Sequence, residues 1–357
     1  MHNNTHSLIC KVKKRMAALS LDPRLSLNAR KHHHHGALVE EIEGLIRVCK
    51  DGHVERPPII PNVPCNIPSE LRVTSRDIVM DRSTNLWARV YVPQGQRNLP
   101  LLVYFHGGGF CVGSAAWMCY HDFISNLASK AGCVVMSVNY RLAPENRLPA
   151  AYEDGYNTVM WVKEQATNGS REHSWWLSCC NILGFFLAGD SAGANIAHNV
   201  ALRFGASRSA RSTLLRPLSH RGTILIQPFF GGEARTASEK APQPYGSALT
   251  LSAADTYWRL SLPMGSTREH PWCNPLAKGA AKLNSIELPA TMVCVSDMDI
   301  LMDRNKEFCS TMANAGKKVN MMVYKGVGHA FQILHSSSLS KARTQEMIGH
   351  LKAFIHS

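Results

Sequence analysis

Several features that would mark other classes of protein are missing from this sequence of 357 residues. No apolar run reaches the roughly 18 residues that a membrane-spanning helix requires, so no membrane span is expected. The eleven cysteines are odd in number, include the adjacent pair Cys179 and Cys180, and show no metal-ligand spacing. They favour reduced thiols in a cytoplasmic protein, with a nuclear location left open, and imply neither a metal nor an organic cofactor.

Acidic residues are also scarce, with 26 Asp and Glu against 39 Lys and Arg, which gives a formal net charge of +13. Part of the excess lies in residues 1–39, where many Lys and Arg face Asp22 alone. We interpret residues 1–39 as a poorly ordered basic extension, with an organellar transit peptide as the alternative. A nucleic-acid-binding protein would need a folded basic stripe with interleaved aromatic residues, and none is evident, so no nucleic-acid partner is expected.

The remaining residues, 40–357, are expected to form one domain, because 45% of the chain is hydrophobic and its length allows one large core. Residues 40–72 are rich in proline and are expected to be irregular, and residues 228–290 are expected to contribute to a cap over the site. From residue 101 onward strands and helices alternate, which predicts an α/β fold with a mainly parallel sheet and helices on both faces. Predicted strands lie near 73–80, 86–92, 101–105, 133–139, 183–188, 222–227, 291–295 and 320–324, and predicted helices near 120–131, 150–166, 192–204, 252–261, 304–316 and 339–355.

A short motif, Gly-Asp-Ser-Ala-Gly, occupies residues 189–193 between an apolar run and an alanine-rich segment. This pattern predicts a strand, a sharp turn at Ser191 and a helix, which together form a nucleophile elbow. Glycine two residues before and two residues after the serine avoids the backbone collisions that a Cβ would cause in so tight a turn. Ser191 is therefore the candidate nucleophile.

Three consecutive glycines, Gly107, Gly108 and Gly109, follow His106 at the end of another strand-like segment. The tetrahedral intermediate of acyl transfer needs backbone N–H donors aimed at its oxyanion, and glycine lets the backbone approach the substrate closely. A merely flexible loop is the alternative, which the preceding strand and the elbow downstream disfavour. The run is therefore predicted to form an oxyanion hole.

Candidates for an acid and a base follow the elbow in the chain order of an α/β-hydrolase triad. His329 comes after one predicted strand and could accept the proton of the Ser191 hydroxyl. Asp297, Asp299 and Asp303 all lie just after another predicted strand, and their spacing does not choose among them. Asp303 could equally cap the helix that follows.

Several segments together resemble one known family. They read His-Gly-Gly-Gly-Phe at 106–110, Tyr-Arg-Leu-Ala-Pro-Glu at 140–145, Gly-Asp-Ser-Ala-Gly at 189–193 and Asp-Ile-Leu-Met-Asp at 299–303. These motifs look like those of the hormone-sensitive-lipase-like group of α/β-hydrolases. Residues 46–56 and 148–154 are similar, more narrowly, to the plant carboxylesterases of that group, which are related to the gibberellin receptors. The resemblance covers roughly residues 40 to 356.

The resemblance implies roles for individual residues. The first Asp of the family's Asp-x-Leu-x-Asp motif is the triad acid, which implies Asp299 here, and the N–H of Ala192 would join the glycine run in the oxyanion hole. Asn146 stands where the family usually has His, which we expect to affect loop packing more than chemistry. The gibberellin receptors lack the catalytic histidine, whereas this chain keeps His329, which favours a hydrolase.

The sequence therefore predicts a serine carboxylesterase that hydrolyses a small-molecule ester through an acyl-enzyme. A lyase, dehydratase or cyclase on the same fold, and a hormone receptor without turnover, are the alternatives. The physiological substrate and the oligomeric state stay open. Aromatic side chains that could line the pocket, or could equally be plain core, are Phe110, Phe230, Trp258 and Phe331.

Overall fold

The structure is a computed structural model that describes residues 36–169, 171–206, 214–334 and 337–357. The described residues fall into two units, which divide between Pro61 and Asn62. Of the predicted N-terminal extension, residues 1–39, positions 1–35 lie outside the described residues.

Residues 36–61 contain a small antiparallel sheet with strand order β1-β2-β3. Its strands are β1 (Leu38–Ile42), β2 (Ile46–Cys49) and β3 (Val54–Glu55). β-branched residues favour strands on both sides of the first turn, and Gly44 supplies the positive φ of 71° there. The expectation of irregular backbone is therefore wrong for 40–55, and Leu38 and Val39, assigned to the tail, belong to β1.

An eight-stranded sheet forms the centre of residues 62–357. All eight predicted strands are confirmed, with ends that differ by a few residues. The strands are β4 (Val73–Asp81), β5 (Leu86–Pro93), β6 (Leu99–Phe105), β7 (Val134–Asn139), β8 (Cys180–Asp190), β9 (His220–Ile226), β10 (Ala290–Ser296) and β11 (Val319–Tyr324).

The strand order is β11-β10-β9-β8-β6-β7-β5-β4. The six strands from β11 to β7 pair in parallel, whereas β5 pairs antiparallel with both of its neighbours. The predicted mainly parallel sheet is confirmed. Because the carboxyl ends of parallel strands share one edge, the loops after β6, β8, β10 and β11 all emerge at that edge.

The six predicted helices are also confirmed, and among the described residues three short helices escaped prediction because each has only four residues. The six are α1 (Met118–Ala131), α2 (Ala150–Asn168), α4 (Ala192–Gly205), α6 (Leu251–Ser261), α7 (Met302–Asn314) and α9 (Ser338–Ile355). The short ones are α3 (Ser174–Leu177), α5 (Ala237–Lys240) and α8 (Phe331–Leu334). None of the described helices combines the length and the apolar character that crossing a bilayer demands.

Helices cover both faces of the sheet. On one face, α1 and α9 pack over a buried cluster that includes Tyr104, Phe123 and Leu351. On the other face, α2 and α4 meet so closely that a Cβ at Gly155 would lie 2.8 Å from the side chain of Val200. The sheet is thus buried on both sides, as its nearly continuous apolar strands require.

Candidate active site

Ser191 lies in the turn between β8 and α4, with φ 52° and ψ −118°. A non-glycine residue at positive φ is strained, and such strain is typical of a nucleophile elbow. A Cβ at Gly189 would overlap the backbone of Gly193, and one at Gly193 would overlap the carbonyl oxygen of Phe105. The two glycines of the motif are therefore required for β6, β8 and α4 to come together around the serine.

A chain of hydrogen bonds joins Ser191 to His329 and Asp299. His329 Nε2 lies 2.9 Å from Ser191 Oγ, and His329 Nδ1 lies 2.7 Å from Asp299 Oδ2. The Leu301 N–H donates to the other carboxylate oxygen of Asp299 at 3.1 Å, which fixes its orientation. Ser191 and Asp299 are 6% and 4% exposed. The structure therefore brings the three predicted catalytic side chains together in the order that proton transfer from serine requires.

The two neighbouring aspartates have other partners. Asp297 Oδ1 accepts the Gly326 N–H at 2.8 Å and so holds the loop that leads to His329. Asp303 Oδ2 accepts the Ser238 N–H at 2.7 Å in the first turn of α5. Neither carboxylate lies against the imidazole, so geometry distinguishes the three acids where spacing does not.

Two opposing effects act on the pKa of His329. Burial acts to lower the pKa, but the charge and hydrogen bond of Asp299, with a further contribution from Asp190, outweigh it. The pKa of His329 is therefore raised above its usual value. A raised pKa favours the imidazolium that forms when the histidine takes the serine proton.

The predicted oxyanion hole needs one correction. The Gly107 N–H already donates to Tyr120 Oη at 2.7 Å and to Asp190 Oδ1 at 3.1 Å, so it is not available to a substrate. In the described part of the chain, the N–H groups of Gly108 and Gly109 have no protein acceptor. Ala192 is the first residue of α4, where an N–H has no partner within the helix. Gly108, Gly109 and Ala192 are the donors that can face an oxyanion.

The loop of Gly107, Gly108 and Gly109, called the glycine loop or oxyanion loop, is shaped by the residues around it. Gly108 and Gly109 have φ values of 112° and 57°, which L side chains rarely adopt. A Cβ at Gly109 would collide with the ring of Tyr257 in α6, within the stretch predicted to act as a cap. Residues of this stretch therefore lie directly against the oxyanion loop.

The four predicted pocket aromatics separate into two groups. Phe110 and Trp258 lie with ring centroids 5.6 Å apart, and Trp258 stacks on Phe229 at 4.5 Å, beside the glycine loop. Phe230 instead packs on His198 and Phe308, and Phe331 packs on Tyr324 in the core. All four side chains are at most 3% exposed. Phe230 and Phe331 thus contact core side chains away from the glycine loop, and a pocket-lining role for the four aromatic residues stays a prediction.

Gln227 has a supporting role that the sequence prediction missed. It follows β9, is 1% exposed, and accepts the Ala330 N–H on its Oε1 at 2.7 Å. Its own N–H donates to the Cys294 carbonyl at 2.8 Å. Gln227 thereby holds the residue next to His329. A polar residue directly after an apolar strand, at the edge where the other site residues emerge, was the available signal.

No three His, Cys, Asp or Glu side chains among the described residues are placed to hold a metal ion together.

Comparison with known proteins agrees with this geometry. The sequence profile of the alpha/beta hydrolase fold matches residues 102–333. The chain is 49% identical over 328 residues to a probable carboxylesterase 6 of Arabidopsis thaliana, which covers 90% of this chain and 93% of the relative. It is 35% identical to a 2-hydroxyisoflavanone dehydratase of Glycyrrhiza echinata, covering 88% and 95% of the two chains. Gibberellin receptor GID1C of Arabidopsis thaliana is 35% identical, covering 77% and 80%.

Solved structures show the same architecture. A hyperthermophilic esterase from the archaeon Pyrobaculum calidifontis superposes with a TM-score of 0.64 and 29% identity. The match covers 80% of this chain and 85% of the esterase.

Proposed function

The chain belongs to the α/β-hydrolase family, and on that premise we propose that it is a serine carboxylesterase acting on a small-molecule ester. The observation that carries the proposal is the continuous hydrogen-bond chain from Ser191 Oγ through His329 to Asp299. The 49% identity to a probable carboxylesterase over most of both chains supports the same activity.

The first half of the reaction forms an acyl-enzyme. Ser191 Oγ attacks the ester carbonyl carbon while His329 Nε2 takes the hydroxyl proton, and Asp299 stabilises the imidazolium that results. The carbonyl oxygen becomes an oxyanion that accepts hydrogen bonds from backbone N–H groups of Gly108, Gly109 and Ala192. The carbon–oxygen bond to the alcohol then breaks, and His329 returns its proton to the departing alkoxide.

The second half releases the acid. Water attacks the acyl carbonyl, His329 accepts a proton from it, and a second oxyanion occupies the same backbone donors. Collapse of this intermediate transfers the proton to Ser191 Oγ and frees the carboxylic acid. The residues that act in the first half thus act again, in the same positions, in the second.

A dehydratase is the second candidate, favoured by the 35% identity to a 2-hydroxyisoflavanone dehydratase over 88% of the chain. His329 could abstract a carbon-bound proton in such an elimination, and no acyl-enzyme would form. A receptor without turnover is less well supported, because His329 is present and lies within hydrogen-bond distance of the serine.

The cytoplasm is the proposed compartment. The ten cysteines of the described residues form no disulfide with one another, which suits a reducing environment.

Ser191→Ala tests the assignment. We expect the variant to fold and to lose on the order of 10⁶-fold in kcat for p-nitrophenyl acetate, as when a triad nucleophile is removed. Covalent labelling by an organophosphate, followed by mass spectrometry, should modify Ser191 in the wild type and nothing in the variant. Retention of more than a few per cent of the turnover would contradict the proposal. Elimination activity on a β-hydroxy ketone without ester turnover would support the dehydratase instead.

A further inference from the structure

Asp190 precedes the candidate nucleophile and carries a buried carboxylate that the proposed mechanism does not use. The side chain is 1% exposed. Tyr104 Oη donates to its Oδ1 at 2.8 Å, and Tyr120 Oη donates to its Oδ2 at 2.9 Å. The Gly107 N–H donates to Oδ1 at 3.1 Å. Residues of β6, α1 and the oxyanion loop therefore converge on one carboxylate beside the nucleophile.

The carboxylate is held by neutral donors alone. No Lys or Arg of the described residues forms an ion pair with Asp190. Burial raises the pKa of Asp190 to about 6, although the two phenols, His329 and the Gly107 N–H each act to lower it. Burial, helped by the charge of Asp190, also raises the pKa of Tyr104 and of Tyr120, so both phenols stay protonated donors. A buried carboxylate without a cation is costly, which argues that it serves more than packing.

The position of Gly107 shows what this network holds. A Cβ at Gly107 would lie 2.7 Å from Asp190 Oδ2 and 3.0 Å from Tyr120 Oη, so the loop backbone rests directly on the carboxylate and the phenol. Gly108, the next residue, carries one of the free N–H groups. Because Asp190 is also covalently bonded to Ser191, the distance between nucleophile and oxyanion donors is set through Asp190.

We propose that Asp190, together with Tyr104 and Tyr120, is a positioning residue that fixes the oxyanion loop relative to Ser191. The inference rests on the proposed acyl-transfer function. An oxyanion donor must lie about 2.7–3.1 Å from the developing negative charge, and an error of roughly 1 Å in such a site can reduce the rate on the order of 10²-fold. Loss of the network should therefore weaken binding of the transition state and leave binding of the ester nearly unchanged.

Asp190→Asn tests the role, because it keeps the shape of the side chain but replaces one acceptor oxygen with a donor. We expect kcat for p-nitrophenyl acetate to fall on the order of 10²-fold while KM stays within about twofold. Tyr120→Phe keeps the carboxylate but removes the phenol that accepts the Gly107 N–H, and it should reduce kcat in the same way. Tyr91→Phe is the matched control, since Tyr91 is a buried, hydrogen-bonded tyrosine of β5 whose partner is His121, and it should leave kcat unchanged.

A second readout separates positioning from simple loss of folded protein. An aryl trifluoromethyl ketone forms a bond from Ser191 Oγ to its carbonyl carbon, and its carbonyl oxygen becomes an oxyanion without any hydrolysis. Its inhibition constant should rise by the same factor by which kcat/KM falls in Asp190→Asn and Tyr120→Phe. This measurement needs no ester turnover. If the wild-type protein bound the ketone but hydrolysed no ester, the proposed function would be refuted, and the ketone affinities of the variants would still test the role of Asp190.

Wild-type kcat and ketone affinity in both variants would overturn the inference. The inference would also be overturned if the losses of kcat disappeared once each rate was divided by the fraction of active protein, determined by organophosphate titration. If Asp190→Asn fails to fold, Tyr120→Phe decides, because it leaves the buried carboxylate in place.

Discussion

At the level of single residues, three aspartates that follow β10 within seven residues of one another show how chemically identical groups acquire different roles. Asp299 lies within hydrogen-bond distance of the imidazole of His329. Asp297 accepts a backbone N–H from the loop that leads to His329, and Asp303 accepts a backbone N–H from the first turn of α5. Only a carboxylate within hydrogen-bond distance of Nδ1 can fix the tautomer of the imidazole and stabilise its cation.

Replacing each acid by its amide tests this distinction. Asp299→Asn should lower kcat by roughly 10⁴-fold, because an amide facing Nδ1 favours the wrong tautomer. Asp297→Asn and Asp303→Asn each keep an oxygen that can accept the backbone N–H, so each should cost less than about tenfold. Steady-state kinetics of the three purified variants provide the measurement. A large loss in Asp297→Asn, with Asp299→Asn near wild type, would mean that the acid is misassigned.

The pKa of His329 predicts the pH dependence of turnover. The imidazole must be neutral to accept the serine proton, so kcat/KM should rise with pH through the pKa of His329 and then level off. Because that pKa is raised, the midpoint should lie above the unperturbed value of about 6.5. Asp299→Asn removes the main cause of the rise, so the midpoint of its residual activity should move to lower pH.

The experiment is a kcat/KM profile for a p-nitrophenyl ester from about pH 5 to pH 9, with the spontaneous rate subtracted. An activity maximum below about pH 6 would contradict His329 as the base.

At the level of elements, the crossing of β6, β8 and α4 depends on the absence of side chains at Gly189 and Gly193. A Cβ at Gly193 would overlap the carbonyl oxygen of Phe105, which is a backbone atom of β6 and cannot rotate away as a side chain could. The backbone of the elbow thus packs directly on the backbone that leads into the oxyanion loop, and this contact fixes the position of Ser191 relative to that loop.

Gly193→Ala should therefore destabilise the fold by about 3 kcal/mol and abolish most of the turnover. Gly349→Ala is the matched control: this glycine lies in α9 and has no atom within 4 Å of the added Cβ. It should stabilise the protein by about 0.5–1 kcal/mol, because alanine is the better helix former. Urea unfolding of both variants measures the two effects, and equal stability of Gly193→Ala and the wild type would disprove the close crossing.

At the level of the whole molecule, buried histidines link stability to pH. His198 of α4 is 3% exposed and packs edge-on against Phe230 and Phe308. Burial lowers its pKa to about 4. The folded state therefore disfavours a proton that the unfolded chain binds at about pH 6.5. The stability that the neutral imidazole provides is complete above about pH 6.5 and is lost as the pH falls towards 4.

His198→Leu should remove the part of the acid-induced loss of stability that arises from His198. Within that window one such group contributes a slope of about 1.4 kcal/mol per pH unit to the free energy of unfolding. The variant's unfolding free energy should consequently fall less steeply than that of the wild type between about pH 6.5 and pH 4. Urea denaturation at several pH values measures both slopes, and parallel curves would show that His198 does not carry the effect.

The sequence by itself determined the eight strands, the six long helices and the chemistry of the elbow. These features depend on local causes: apolar periodicity selects strand or helix, and the turn at Ser191 requires glycine at positions 189 and 193 wherever the rest of the chain goes. The hairpin of residues 38–49 was missed because the proline-rich residues after it dominated the composition of that region.

Only the tertiary structure decided which groups meet. His329 bonds to a serine 138 residues away and to an aspartate 30 residues away, and no periodicity specifies such contacts. The sequence also does not distinguish Gly107 from Gly108 and Gly109, which follow it. Only the structure shows that the Gly107 N–H donates to Tyr120 and Asp190. A backbone donor or a buried aromatic ring acquires its role from the atoms packed against it, and those atoms come from distant strands and helices.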